Sequence, residues 1–190
     1  AVLPAIKSRF GKDRETVRVK TLSTFGLPES VTGEKLSGFE SAFPGLKLGL
    51  RAKFPEIQVK LYGTGRDAAA VEDLLTAATE WVRERLGPKI FSETGQSMEA
   101  AVGDLLRQAG ATLAVAESCT CGLIAHKMTN VSGSSDYFLF SDVTYSNEAK
   151  MRVLGVSQET LKRYGAVSEE TAREMAEGAR QVADATWGIA

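Results

Sequence analysis

The chain has 190 residues, 43% of them hydrophobic and 25% charged, with a formal net charge of −1. That composition excludes a disordered chain and fits either one large domain or two small ones. The near-zero balance gives no support to bulk attraction to nucleic acid or membrane, although residues 1–66 hold 12 Lys/Arg against 6 Asp/Glu and residues 67–190 hold 11 against 18.

Thr16 to Leu22 alternate, with Val17, Val19 and Thr21 on one side and Arg18 and Lys20 on the other, the pattern of a half-buried strand. Gly26-Leu27-Pro28 breaks it. Leu36, Phe39 and Phe43 recur at helical spacing up to Pro44-Gly45. Leu46, Leu48 and Leu50 predict a second strand, and Ile57, Val59 and Leu61 a third, with Gly63-Thr64-Gly65 as a turn. Asp67 is the expected N-cap of a helix whose stripe is Val71, Leu74, Leu75, Ala78, Trp81, Val82 and Leu86. The order predicts a small α+β layer with helices on one face. Gly87-Pro88 ends it, so the expected domains are residues 1–88 and 89–190.

The second half alternates strands and helices. Ser97 is an expected cap for a helix with Val102, Leu105, Leu106 and Ala109 inward and Gly110 after its end. Thr112 to Ala116 is nearly continuously apolar, as in a sheet covered on both faces. Tyr137 to Tyr145 predicts another strand, Asn147 to Leu154 and Ser157 to Tyr164 short helices. Ser168 is expected to cap a longer helix with Ala172, Met175, Ala176, Ala179 and Val182 inward, and Trp187 to Ala190 begins a further strand.

The chemistry concentrates between Ala114 and Lys150. A strand followed by the turn Glu117-Ser118-Cys119-Thr120-Cys121-Gly122 and a short helix through Ile124 and Met128 sets small hydroxyls and backbone amides at a helix start, which suits an oxyanion or a phosphate. Considered alone, such a turn is more often scaffold than catalytic. Lys150 follows Tyr145-Ser146-Asn147-Glu148. If buried it can act as base to a serine, and if solvated it is a surface lysine on a helix that Asn147 caps. The single histidine, His126, is read as surface or packing. Cys119, Cys121, His126 and Asp142 match no common zinc spacing, so no metal is expected. Two thiols one residue apart make no disulfide framework, and a reducing cytoplasm is the expected compartment. No apolar run approaches the roughly 20 residues of a membrane span, and no signal-peptide pattern opens the chain.

A-E-S-C-T-x-G, S-G-S-S-x-x-F, V-T-Y-S-N-E-A-K, L-G-V-x-x-E-T-L and G-A-V-S-E-E-T-A together resemble the C-terminal domain of the bacterial competence/damage-inducible CinA family. T-F-G-L-P-E-S and L-G-L-R-A-x-F-P-E-I resemble its KH-like middle domain. The resemblance implies a KH-like α+β domain followed by a three-layer α/β deamidase domain lacking its C-terminal strands. It implies hydrolysis of nicotinamide mononucleotide to nicotinic acid mononucleotide and ammonia, in pyridine-nucleotide recycling. The family's serine falls on Ser118, its lysine on Lys150 and its tyrosine on Tyr145: nucleophile, base, and orienting or relay group. Backbone amides around Thr120 to Gly122 are expected to hold the oxyanion, and Glu117, Thr120, Gly122, Ser134, Ser135 and Asn147 to contact substrate. No cofactor is implied. The chain departs from the family pattern at Cys121, where the family has Gly, and at Ser141-Asp142. The family's later glycine-rich segment is absent, and the sheet edge this leaves predicts a homo-oligomer. A catalytically inactive interaction module, or a nucleic-acid-binding one, is the alternative. Nucleic acid is the less expected partner, because no G-x-x-G loop of the KH type is present.

Overall fold

The computed structural model describes residues 15–190, which form two compact units divided between Met98 and Glu99. Residues 1–14 of the expected first domain lie outside the described residues.

The first unit is built on an antiparallel sheet of β1 (Thr16–Phe25), β2 (Leu46–Lys53), β3 (Glu56–Gly65) and β4 (Ile90–Ser92), in the order β2-β3-β1-β4. Three helices accompany it: α1 (Glu29–Lys35), α2 (Phe39–Ala42) and α3 (Ala68–Leu86). The α3 stripe of Val71, Leu75, Ala78, Val82 and Leu86 is buried in one cluster with Leu22, Leu46, Val59 and Leu61. Asp67 caps α3 as expected, its carboxylate accepting the Ala69 and Ala70 amides. Trp81 packs edge-on to Phe39 and Phe43, with centroids 5.7 and 6.1 Å away.

Several local expectations shift. Val17 and Val19 are exposed; Leu22, on the side of Arg18 and Lys20, faces the core, and Leu22 pairs with Val59. The single helix expected around Leu36 and Phe43 is two short ones, because Gly38 takes φ +82° between them. Gly63 and Gly65 are not a turn but the end of β3. A Cβ on either would lie 2.8 Å from Val71, so their smallness lets α3 approach the sheet. The chain beyond Gly87-Pro88 returns to the same sheet: β4 pairs with β1, and the Gln96 carbonyl accepts Ser23 Oγ at 3.4 Å. The expected division after Pro88 therefore falls inside the first unit.

The second unit is a parallel sheet covered on both faces. β5 (Leu113–Glu117) lies between β6 (Phe138–Val143) and β7 (Trp187–Ile189). Leu113 to Ala116 are buried as their apolar run predicts, and Glu117, which that run does not include, is buried with them. Ala114 and Ala116 face one cluster, completed by Leu154, Val156, Met175 and Ala179. Leu113 and Val115 face the other, with Leu106, Met128 and Tyr137. The first cluster belongs to α6 (Asn147–Leu154), α7 (Gln158–Tyr164) and α8 (Glu169–Ala183), the second to α4 (Met98–Ala109) and α5 (Leu123–Thr129). The result is the expected three-layer α/β arrangement. On α4 the buried face is Gly103 and Leu106, while Leu105 and Ala109 are exposed. Gly103 sets that rotation, since a Cβ there would come within 2.4 Å of the Tyr137 hydroxyl. On α8, Val182 is exposed, and Thr171 and Gly178 are buried instead.

Candidate active site

β5 ends at Glu117, and the parallel register sets Glu117 beside Val143. One further bond, Thr144 N–H to the Glu117 carbonyl at 2.9 Å, extends the ladder past both strands. Ser118 and the Thr144–Ser146 segment thereby leave the sheet together, at the end where α/β sheets bind ligands. Ser146 caps α6 by accepting the Ala149 amide at 3.1 Å, a role expected of Asn147, which is instead the exposed first residue of the helix.

Lys150 lies one turn into α6 and reaches back. Its Nζ donates to the Thr144 carbonyl at 2.8 Å, the Tyr145 carbonyl at 3.0 Å and Ser118 Oγ at 3.2 Å. The residue is 1% exposed, and burial pushes its pKa below the ordinary lysine value. A neutral amine here keeps both carbonyls as acceptors for its two N–H groups and leaves its lone pair facing the Ser118 hydroxyl.

Glu117 fixes the turn from below. It is fully buried, and its carboxylate accepts the Gly122 and Ile124 amides on one oxygen and the Ala125 amide on the other, at 2.9–3.2 Å. Burial on its own raises its pKa, but these amides and the Thr120 hydroxyl outweigh it and hold the carboxyl below its ordinary range. Both oxygens are thus committed to the start of α5, placing Glu117 as the support of the turn. Gly122 is at φ +89° and Cys121 at φ +53°, a left-handed pair that swings the chain into the helix.

The turn also fixes which amides are free. Cys121 N–H donates to the Ser118 carbonyl and Gly122 N–H to Glu117, so two members of the expected oxyanion set are occupied. Cys119 and Thr120 amides have no partner among the described residues. Beside them opens a cleft of about 270 Å³, bordered by Ser118, Cys119, Thr120, Val167, Ser168 and Met175. Its walls are mostly carbon, with hydroxyls from Ser118, Thr120 and Ser168.

The other predicted residues are placed differently. Tyr145 meets Lys150 through its carbonyl, and the residue is 71% exposed. Ser134 and Ser135 form a 3-10 turn before β6, at the amino end of the sheet. Five extended residues, roughly 17 Å, separate that end from Ser118, so one chain does not bring them together. His126 is exposed on α5 beside Asn130. Sequence reasoning missed Thr144 as a carbonyl ligand of Lys150, and saw Ser168 only as a cap, which it is, and not also as part of the cleft.

Residues 95–190 match the family model of the CinA C-terminal domain, and residues 19–92 that of the damage-inducible protein CinA KH domain. The chain belongs to the CinA family. A CinA-like protein of Desulfosudis oleivorans is 52% identical over the whole of this chain and 46% of its own length. One from Geobacter metallireducens is 46% identical, again over the whole chain and 46% of the relative. The chain thus spans about half the length of the curated CinA relatives it matches. Among solved structures, a competence-damaged protein (CinA) superfamily protein from Escherichia coli is 40% identical over 46% of this chain and 51% of that one, with a TM-score of 0.45.

Proposed function

We propose that the second unit belongs to an amidohydrolase that converts nicotinamide mononucleotide to nicotinic acid mononucleotide and ammonia. The observation that carries this reading is the 3.2 Å contact between Ser118 Oγ and a buried lysine amine at the mouth of a cleft. The choice of substrate rests on the family resemblance, and the apolar cleft walls with their few hydroxyls suit a flat pyridine carboxamide.

In this reading Ser118 Oγ attacks the carboxamide carbon as Lys150 Nζ takes its proton. Charge gathers on the former carbonyl oxygen, toward the unpartnered Cys119 and Thr120 amides. The intermediate collapses, the C–N bond breaks, and Lys150 returns the proton to the departing nitrogen, giving ammonia and an acyl-serine ester. Lys150 then deprotonates water, the hydroxide adds to the acyl carbon, the ester C–O bond breaks as Lys150 gives that proton back to Ser118 Oγ, and the acid is released. Glu117 positions the turn, and the Thr144 and Tyr145 carbonyls position the amine. Tyr145 contributes its carbonyl rather than a relay.

The test is ammonia release from nicotinamide mononucleotide by this chain and by a full-length parent, each with its Ser118→Ala variant. Release from the parent that Ser118→Ala removes is the expected result, and the chain's own rate then measures what the remainder of the parent adds. An active parent indifferent to Ser118→Ala overturns the serine mechanism. A silent parent favours the inactive interaction module.

A further inference from the structure

The first unit holds a concave feature that this chemistry does not use. Where the β2–β3 hairpin turns, Phe25, Leu27, Pro28, Phe54, Pro55 and Ile57 line an open groove of about 480 Å³. Its walls are carbon almost throughout. Phe54, at the hairpin tip, is 98% exposed, and Phe25 is exposed as well. One charged group is sunk into this apolar setting. Glu56, the first residue of β3, pairs with Phe25 on one side and Lys53 on the other. It is 4% exposed, and its Oε2 has no hydrogen-bond partner among the described residues. The Lys53 ammonium lies 3.9 Å from that oxygen, beyond hydrogen-bond reach, on a side chain that is mostly in water. Glu29 also borders the groove.

A buried carboxylate oxygen without a donor is costly, and native structures seldom leave one. Apolar surface kept in water marks places of contact. Together the two features fit a group with a cationic head and an apolar body. We propose that this groove docks a partner polypeptide through a lysine or arginine side chain flanked by apolar residues. The head pairs with Glu56, displacing the distant Lys53, and Glu29 strengthens the negative field at the rim. The stem and its apolar neighbours cover Phe25 and Phe54, whose ring faces also attract a cation. The groove is open and Phe54 on its wall is almost wholly in water, which suits a segment laid across it rather than an enclosed small molecule.

The test titrates the isotopically labelled chain with Ala-Leu-Lys-Leu-Ala, acetylated and amidated so that its side chain holds the sole charge, and follows amide chemical shifts. The same peptide with norleucine or glutamate at the centre, and free n-hexylammonium, are the comparisons. The lysine peptide is expected to shift the Phe25, Phe54 and Glu56 amides and to bind roughly tenfold or more tighter than the norleucine peptide. Glu56→Gln removes that preference, and Lys53→Ala increases it. Phe54→Ser weakens both peptides and, at a fully exposed position, leaves the fold intact. Equal binding of the lysine and norleucine peptides overturns the proposal, as does a preference that survives Glu56→Gln or the absence of shifts at these amides. Hexylammonium binding as tightly as the lysine peptide overturns the polypeptide assignment.

Discussion

Lys150 is set apart from the other described lysines by what surrounds it: two carbonyls, one hydroxyl, and no carboxylate among its described contacts. Such a setting favours the neutral amine, because burial penalises the charge and no anion compensates it. The direction of a pH profile follows. In the proposed mechanism a protonated Lys150 cannot accept the Ser118 proton, so hydrolysis is expected to be low at acid pH and to rise as the amine loses its proton. In the full-length parent, kcat/KM is expected to rise along one limb whose midpoint lies below the ordinary lysine value of about 10.4. Lys150→Arg, which stays protonated, is expected to cost at least about 10³-fold in kcat at every pH. A rising limb that persists in the residual rate of Lys150→Arg would assign it to another group. Cys121 offers a second residue-scale test. Its φ of +53° crowds a Cβ against the backbone, and the family pattern has Gly there. Cys121→Gly is expected to raise stability by roughly 0.5–1 kcal/mol in urea denaturation, the relieved strain being partly offset by the freer unfolded chain.

At the scale of elements, the amine's position depends on how α6 and α8 pack. A Cβ on Gly178 of α8 would stand 1.9 Å from the carbonyl oxygen of Leu154, the last residue of the helix that carries Lys150. Gly178→Ala must therefore push the two helices apart. The expected result is a loss of about 2–3 kcal/mol in stability, read by urea denaturation. Activity should fall in the molecules that remain folded, because a shift of about 1 Å in a catalytic group can cost on the order of 10²-fold. These close approaches are also what a sequence conceals. Most helices of the second unit were legible from their period or cap, as with the one that Ser168 caps, its hydroxyl accepting the Thr171 amide. The face each helix buries was less so. Periodicity turns apolar Leu105 and Val182 inward, whereas Gly103 and Gly178 are the buried residues, because ring or backbone contact there leaves no room for a side chain. Periodicity counts apolar atoms, and it gives a glycine no weight as a contact.

The whole molecule divides its work between two cores. Ser118, Lys150, Glu117 and their cleft all belong to the second unit, while Leu61, fully buried, belongs to the core of the first. Leu61→Ala is expected to destabilise the first unit by about 2–5 kcal/mol. Below the unfolding transition it should leave amide hydrolysis per folded molecule unchanged, and a parallel fall in kcat would show that the first core supports the site. The boundary was hard to see because Gly87-Pro88 is a strong local stop, and the short β4 that follows joins the sheet through non-local pairing with β1. The candidate site was more legible. Ser118 and Lys150 are 32 residues apart, but each stands in a dense, specific stretch of sequence, and the β5–β6 register brings those stretches together. The oxyanion donors were not legible, because the turn's internal hydrogen bonds decide which amides remain free. The same turn also makes the site convenient to observe. The chain's two cysteines, Cys119 and Cys121, are both exposed there and unbridged, one of them on the cleft wall. A thiol-reactive fluorophore added to the unaltered chain would therefore attach beside the nucleophile and nowhere else, and its emission would report each ligand that enters.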